Sequence, residues 1–182
     1  MGAYFLVVNP ARRQYLDSSR FGEANKFSTV LFGDHCVQAL KLLVADNFRR
    51  DAVSFLGAWL GDPVILAGDD TGRPNPGGLI TATPEDPARN LHALACAEFT
   101  DISYRALAEL CLDAETAAAL AARSAEDETL LLDLGAVWDQ YRVPALEAAL
   151  DGAVGRPWRK AYNQARTRNR WWCPLPPVDW PM

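Results

Sequence analysis

Ala3-Tyr4-Phe5-Leu6-Val7-Val8-Asn9-Pro10 decides the class of fold. The run is aromatic and β-branched, it is too short for a helix, and Asn9-Pro10 stops it, so it predicts a buried strand. Arg12–Leu16 predicts a short second strand ended by Asp17-Ser18-Ser19. Val64–Ala67 reads as a further strand. Leu79–Ala82 reads as another, antiparallel to it across the 11-residue turn-rich loop Gly68–Gly78.

Helical spacing dominates elsewhere. Asp34 is placed to cap a helix reaching about Ala45, with Val37, Leu40 and Val44 on one face. Residues 47–51 read as a polar loop, Phe55 and Trp59 return the chain to the core, and Asp62-Pro63 is a turn. Asp86-Pro87 is placed to open a helix to about Ala97. Asp101 and Ser103 begin another, with Tyr104, Leu107 and Cys111 on one face. Asp113 starts a short alanine-rich helix around 117–122. Ser124-x-x-Asp127 resembles a capping box ahead of a helix at 126–142. Leu130, Leu131, Leu134, Val137, Trp138 and Tyr141 form its apolar stripe. Pro144 opens a helix through Leu150 that Gly152 ends, and Pro157 opens a last one. Pro174, Pro176, Pro177 and Pro181 preclude regular structure beyond Trp171.

Strands and helices do not alternate regularly enough for a doubly wound sheet. The expected class is α+β: a small, mostly antiparallel sheet with helices, followed by a helical C-terminal extension. The expected divisions are an α+β domain at 1–112, a helical extension packed on it at 113–155, and a basic, tryptophan- and proline-rich tail at 156–182.

The chain has 182 residues, 49% apolar and 23% charged. These values exclude a disordered, collagen-like or disulfide-scaffold chain. No apolar run approaches the ~18–20 residues that span a bilayer. The first residues lack a basic region ahead of an apolar one, and Leu6 stands where N-myristoylation expects Ser or Thr, so neither a signal peptide nor a lipid anchor is expected. Cys36, Cys96, Cys111 and Cys173 are spaced by 60, 15 and 62 residues, with no C-x-x-C pair for zinc. Reduced thiols, a cytoplasmic location and no metal or other cofactor are the expectation.

Charge is unevenly spread. Residues 1–155 carry 12 basic and 22 acidic side chains, whereas residues 156–182 carry six basic and one acidic. Either the basic tail folds back on its own acidic body, or it meets an external anion or acidic partner.

Four candidate constellations follow. Asp62, Asp69 and Asp70 cluster around a strand and its exit loop, where carboxylates hold Mg²⁺ in phosphoryl-transfer enzymes; Gly68–Gly72 reads equally well as a turn. His92 and Cys96 share one helix face, the spacing of an activated thiol or half a metal site, but Glu98 points elsewhere and a core cysteine is the plainer reading. His35 and Cys36 are adjacent and face two directions. Finally, Arg159, Lys160, Arg166, Arg168 and Arg170 lie among Trp158, Tyr162, Trp171, Trp172 and Trp180. Arginine with tryptophan is the composition of protein-interface hot spots, and it also suits unpaired bases. No dinucleotide or P-loop glycine motif, nucleophile elbow or H-E-x-x-H is present, and two histidines leave few general bases.

The opening MGAYFLVVNPARRQYLDSSRFG, GAWLGDPVILAGDD at 57–70 and FTDIS at 99–103 resemble a scattered group of small bacterial proteins. The resemblance spans roughly the first 105 residues. It implies a bacterial origin and carries over no catalytic role.

The expected function is therefore a non-enzymatic bacterial protein-binding module, antitoxin- or immunity-like or a subunit of a larger assembly. Its binding residues are Arg159, Lys160, Arg166, Arg168, Arg170, Trp171, Trp172 and Trp180, and no membrane is involved. Of Trp158 the same reading expects burial on its own domain, and of Trp171, Trp172 and Trp180 contact with the partner. The first alternative is a metal-dependent phosphoryl-transfer or hydrolytic enzyme using Asp62, Asp69 and Asp70. The second is nucleic-acid binding through the tail, which the net −10 of residues 1–155 opposes.

Overall fold

Phe5–Asn9 forms β1, and its neighbours build outward from it in a computed structural model that describes residues 4–24, 26, 34–45, 57–69, 91–155 and 157–172. Among these residues there are four strands, β1, β2 (Gln14–Leu16), β3 (Ile65–Gly68) and β4 (Thr100–Asp101). The sheet runs β3-β1-β2-β4. β1 pairs antiparallel with β2, Val7 opposite Leu16, and antiparallel with β3, Phe5 opposite Gly68. β2 pairs with β4 in parallel, Tyr15 opposite Asp101. The class is α+β, as the sequence predicts.

The described residues fall into two compact units, one within Met1–Ser19 and Glu23–Ser103, the other within Arg20–Gly22 and Tyr104–Met182. In the first, Leu6 and Val8 of β1 and Ala67 of β3 close on Leu91 and Ala95 of helix α2 (Leu91–Glu98), with Tyr15, Ile65 and Phe99 around them. Helix α1 (Asp34–Val44) is also in this unit. Its buried face is His35, Cys36, Ala39 and Leu43, not Val37, Leu40 and Val44. The Cys36–Ala39–Leu43 row has the same helical spacing and smaller side chains, which allows closer packing; Val44 is left exposed. Trp59 is fully buried, as expected, and its indole N–H donates to Gln14 Oε1 at 2.8 Å. Phe55, the strand at Leu79–Ala82 and the Asp86-Pro87 helix start lie outside the described residues.

The second unit is helical: α3 (Ser103–Leu110), α4 (Ala114–Ser124), α5 (Glu128–Tyr141), α6 (Pro144–Ala153) and α7 (Trp158–Arg168). Helix α4 packs on α5 and α6, and α5 on α7. Asp113 caps α4 as expected. The expected capping box is absent. Asp127 itself caps α5, accepting from the backbone N–H of Thr129 and Leu130, while Ser124 belongs to α4 and donates to Ala121 O. The box needs a Glu or Gln side chain long enough to reach back to the cap residue's own N–H; an aspartate is short and is among the best caps itself. Gly152 does not end α6, which runs one residue beyond it; the positive-φ glycine is Gly155.

Candidate functional site

Helix α7 presents two faces because its apolar residues recur at helical spacing. Trp158, Tyr162 and Ala165 are buried. Lys160, Asn163, Gln164 and Thr167, at i, i+3, i+4 and i+7, form the opposite, exposed strip. With Arg168 they line an open depression of about 710 Å³. A small-molecule pocket is enclosed; this surface is open.

The buried face is held against α5 by ring contacts. No Cβ fits at Gly135, because the ring of Tyr162 occupies its place. The Tyr162 hydroxyl donates to Asp139 Oδ2 at 3.1 Å, and burial, followed by the Asp139 charge, pushes that phenol up to about 12. Trp158 meets Trp138 edge-on at 5.5 Å between centroids. Its own indole N–H is buried with no hydrogen-bond acceptor among the described residues, so rings rather than polar bonds seat it. The guanidinium groups of Arg142 and Arg159 lie 4.1 and 4.2 Å from the Trp138 ring centre.

Two of the candidate arginines are engaged with this chain's own carboxylates. Arg159 pairs with Glu147, which also accepts from the Trp138 indole N–H at 3.3 Å. Arg168 pairs with Glu128 at 2.8 Å, and Asn169 donates to the same carboxylate. The Arg159 hydrogen bond holds Glu147 below the usual carboxylate range, and the Arg168 bond does the same for Glu128. Arg166 lies 5.4 Å from the Tyr162 ring centre. Lys160 and Arg170 are exposed, and neither has an ion partner among the described residues.

The adjacent tryptophans after α7 part company. Trp171 is 71% exposed and Trp172 only 8%. Trp172 donates its indole N–H to Asp133 Oδ1 at 3.1 Å. The expectation that Trp172 is a partner's anchor is thus corrected: a buried indole N–H takes the nearest strong acceptor, and here that acceptor belongs to its own unit. Trp158 is buried on its own unit, as expected. Arg156 and Trp180 lie outside the described residues.

Asp133 was not singled out by sequence reasoning. It is fully buried in the middle of α5. Besides Trp172, its Oδ1 accepts from the Tyr104 hydroxyl at 2.6 Å and pairs with Arg20 at 3.4 Å. Residues 20, 104, 133 and 172 thus meet at one carboxylate. The available signal was positional: Asp133 lies between Leu130 and Val137 on the apolar stripe, where a solvent-facing residue does not belong.

The other candidates are placed as follows. Asp62 accepts from Arg12 Nε at 2.5 Å and Asn9 Nδ2 at 3.1 Å, and the Arg12 bond lowers its pKa. Asp69 accepts from the Tyr4 backbone N–H at 2.9 Å. Asn9 and Tyr4 bracket β1, so the two carboxylates lie about 16 Å apart along the strand at ~3.3 Å per residue. One Mg²⁺ needs its ligands within ~2.1 Å of itself, and the pair does not converge on an ion. Asp70 lies outside the described residues. His92 Nδ1 is 3.8 Å from Cys96 Sγ, but burial and the Asp17 and Asp101 charges raise that thiol. Glu98 pairs with Arg13 instead. Cys36, beside buried His35, is pushed up to about 12 by burial, then by Glu23 and Asp17. Both shifts run opposite to an activated nucleophile. Among the described residues no three His, Cys, Asp or Glu side chains form a metal cluster, and no helix is long and apolar enough to cross a membrane.

The fold and site together define an α+β protein with a helical unit that displays a basic, amide-rich helix face ending in an exposed tryptophan. Set against protein-family models, curated proteins and solved structures, the chain matches none.

Proposed function

We propose that this chain is a non-enzymatic protein-binding module of the bacterial cytoplasm, and that its partner meets the outward strip of α7 and Trp171. The observation that carries this reading is Trp171 itself, 71% exposed while its neighbour Trp172 is tied to Asp133. The tie holds the chain in place and leaves the large apolar side chain in water, a costly arrangement for a surface without a partner. Tryptophan beside arginine is the composition that dominates binding energy at protein interfaces. An immunity-like role or a place in a larger assembly fits such a surface.

The two alternatives draw less support. Asp62 and Asp69 are occupied at opposite ends of β1, which weakens a carboxylate-metal enzyme. Glu147 and Glu128 already neutralise Arg159 and Arg168, which leaves few cations to release counterions from a phosphate backbone.

The test is affinity capture from nuclease-treated bacterial lysate with the full chain as bait, comparing wild type with Trp171→Ala. A partner protein retained by the wild type and lost with the variant, at unchanged melting temperature, supports the reading. Capture that depends on nucleic acid, or that ignores the substitution, overturns it.

A further inference from the structure

We infer that the α7 strip takes an acidic polypeptide segment in extended form, its carboxylates meeting Lys160 and Arg170 and an apolar side chain meeting Trp171. This rests on the protein-binding reading and names the partner's chemistry. Three observations carry it.

The first is where unbalanced charge remains. Arg159 and Arg168, on the edges of the strip, are paired with Glu147 and Glu128. Lys160 begins the exposed strip, and Arg170 lies just past the end of α7. Eight helical steps at ~1.5 Å each and two steps of non-helical chain beyond α7 put the Cα atoms of these two residues roughly 15 Å apart. A nucleic acid carries a phosphate every few ångströms, so a strand along this face would set its phosphates beside Glu128 and Glu147 as well. A peptide with two carboxylates four or five positions apart spans the same ~15 Å at ~3.3 Å per residue and can meet Lys160 and Arg170.

The second observation is what lies between them. Asn163 and Gln164 each offer both donors and acceptors, while Thr167, whose hydroxyl donates to Asn163 O at 2.9 Å, offers an acceptor. Phosphate oxygens use only the donors. A peptide backbone presents N–H and C=O groups alternately and uses both kinds. The third is Trp171, whose exposed indole supplies apolar area at one end of the strip, the arrangement of an anchor residue beside a polar rim.

The experiment selects random 12-residue peptides displayed on phage against the immobilised full chain, with the Lys160→Glu/Arg170→Glu double variant as counter-selection. In parallel, a labelled single-stranded dT oligonucleotide is titrated by fluorescence anisotropy. Enriched peptides are expected to carry two carboxylates four or five residues apart with an apolar residue near one of them. Their affinity should fall at least about tenfold for the double variant and for Trp171→Ala, with unchanged circular dichroism and melting temperature. Enriched peptides that are neutral or basic, or that still bind the double variant, overturn the partner chemistry and leave the protein-binding reading standing. Selection that yields no peptide overturns the extended-segment inference. Oligonucleotide binding tighter than that of any selected peptide overturns both.

Discussion

The ring of Tyr162 occupies the volume where a side chain on Gly135 would begin, with Cδ2, Cε2 and Cγ all under 3.0 Å from an ideal Cβ position. Glycine costs a helix interior roughly 1 kcal/mol relative to alanine, yet here it lets α7 approach the middle of α5. Gly135→Ala is therefore expected to destabilise, by about 1–3 kcal/mol, the usual cost of overpacking. Urea unfolding of the single variants and of Gly135→Ala/Tyr162→Ala checks it. Because the clash is with that ring, the double variant should lose clearly less than the sum of the single losses. Simple additivity would mean that the two residues do not touch.

Leu134 is fully buried on α5, within the stripe that the sequence marks as core. Leu134→Ala should cost ~2–5 kcal/mol by lost transfer energy and a residual cavity. A loss below about 0.5 kcal/mol in chemical denaturation would place the stripe on a surface.

Asp133 and Trp172 differ in what their loss leaves behind. Asp133→Leu removes the acceptor from the Tyr104 hydroxyl and the Trp172 indole and leaves Arg20 without this carboxylate. Removing one member of such a buried set typically costs about 3–5 kcal/mol. Trp172→Phe keeps an aromatic ring in place and loses one N–H bond, so ~1 kcal/mol is expected. Equal losses for the two would show that Asp133 serves Trp172 alone.

Buried thiols should be silent in the native protein. Cys36 and Cys111 are fully buried, and burial pushes both up to about 12. A raised thiol pKa means that the folded state holds a proton that the unfolded chain releases from its ordinary value, near 9, upward. The stabilisation is complete below that value and is lost as pH rises from about 9 toward 12. Among the three described cysteines, titration with a thiol reagent at pH 8 should reach exposed Cys96 first, slowly because its own pKa is raised, and Cys36 and Cys111 only on unfolding. Rapid native labelling of Cys36 would contradict the burial.

Much of this was legible from local pattern. β1 follows from an apolar run with a proline stop, and the α5 stripe from Leu130, Leu134 and Val137 at helical spacing. What failed was what local pattern does not encode. Two rows of α1 satisfy the same period, and only packing chose Cys36, Ala39 and Leu43. β4 is two residues long and exists because Thr100 N–H reaches Arg13 O and Ile102 N–H reaches Tyr15 O, across more than 80 positions of sequence. Asp133 was hidden for the same reason, since its partners come from residues 20, 104 and 172. At the tail, composition marks a basic aromatic cluster but does not separate Trp171 from Trp172. That distinction depends on which of two neighbours finds a buried acceptor.

The last expectation concerns how α7 is tied to its own unit at low pH. Glu128 and Glu147 hold Arg168 and Arg159, and each carboxyl lies below its ordinary range for that reason. For a depressed carboxylate, the folded state binds fewer protons than the unfolded chain once pH falls below the ordinary value of ~4.3. The contribution is thus fully present above that value and disappears as pH drops through the depressed one. Near neutrality the ties should be insensitive to pH, while salt, which screens exposed pairs, should loosen them. Hydrogen exchange of the α7 amides, followed from pH 7 to pH 3 with correction for intrinsic rates, reads this locally. Protection should hold to about pH 5 and fall in the acid range, and Glu128→Gln/Glu147→Gln should lower it at pH 7 and flatten the acid fall. The aromatic seat of Trp158 and Tyr162 carries no carboxylate that could explain a loss removed by those two substitutions, apart from Asp139, which Tyr162→Phe isolates. If the double variant keeps the wild-type profile, the two ion pairs do not hold α7, and its attachment rests on the rings and Gly135 alone.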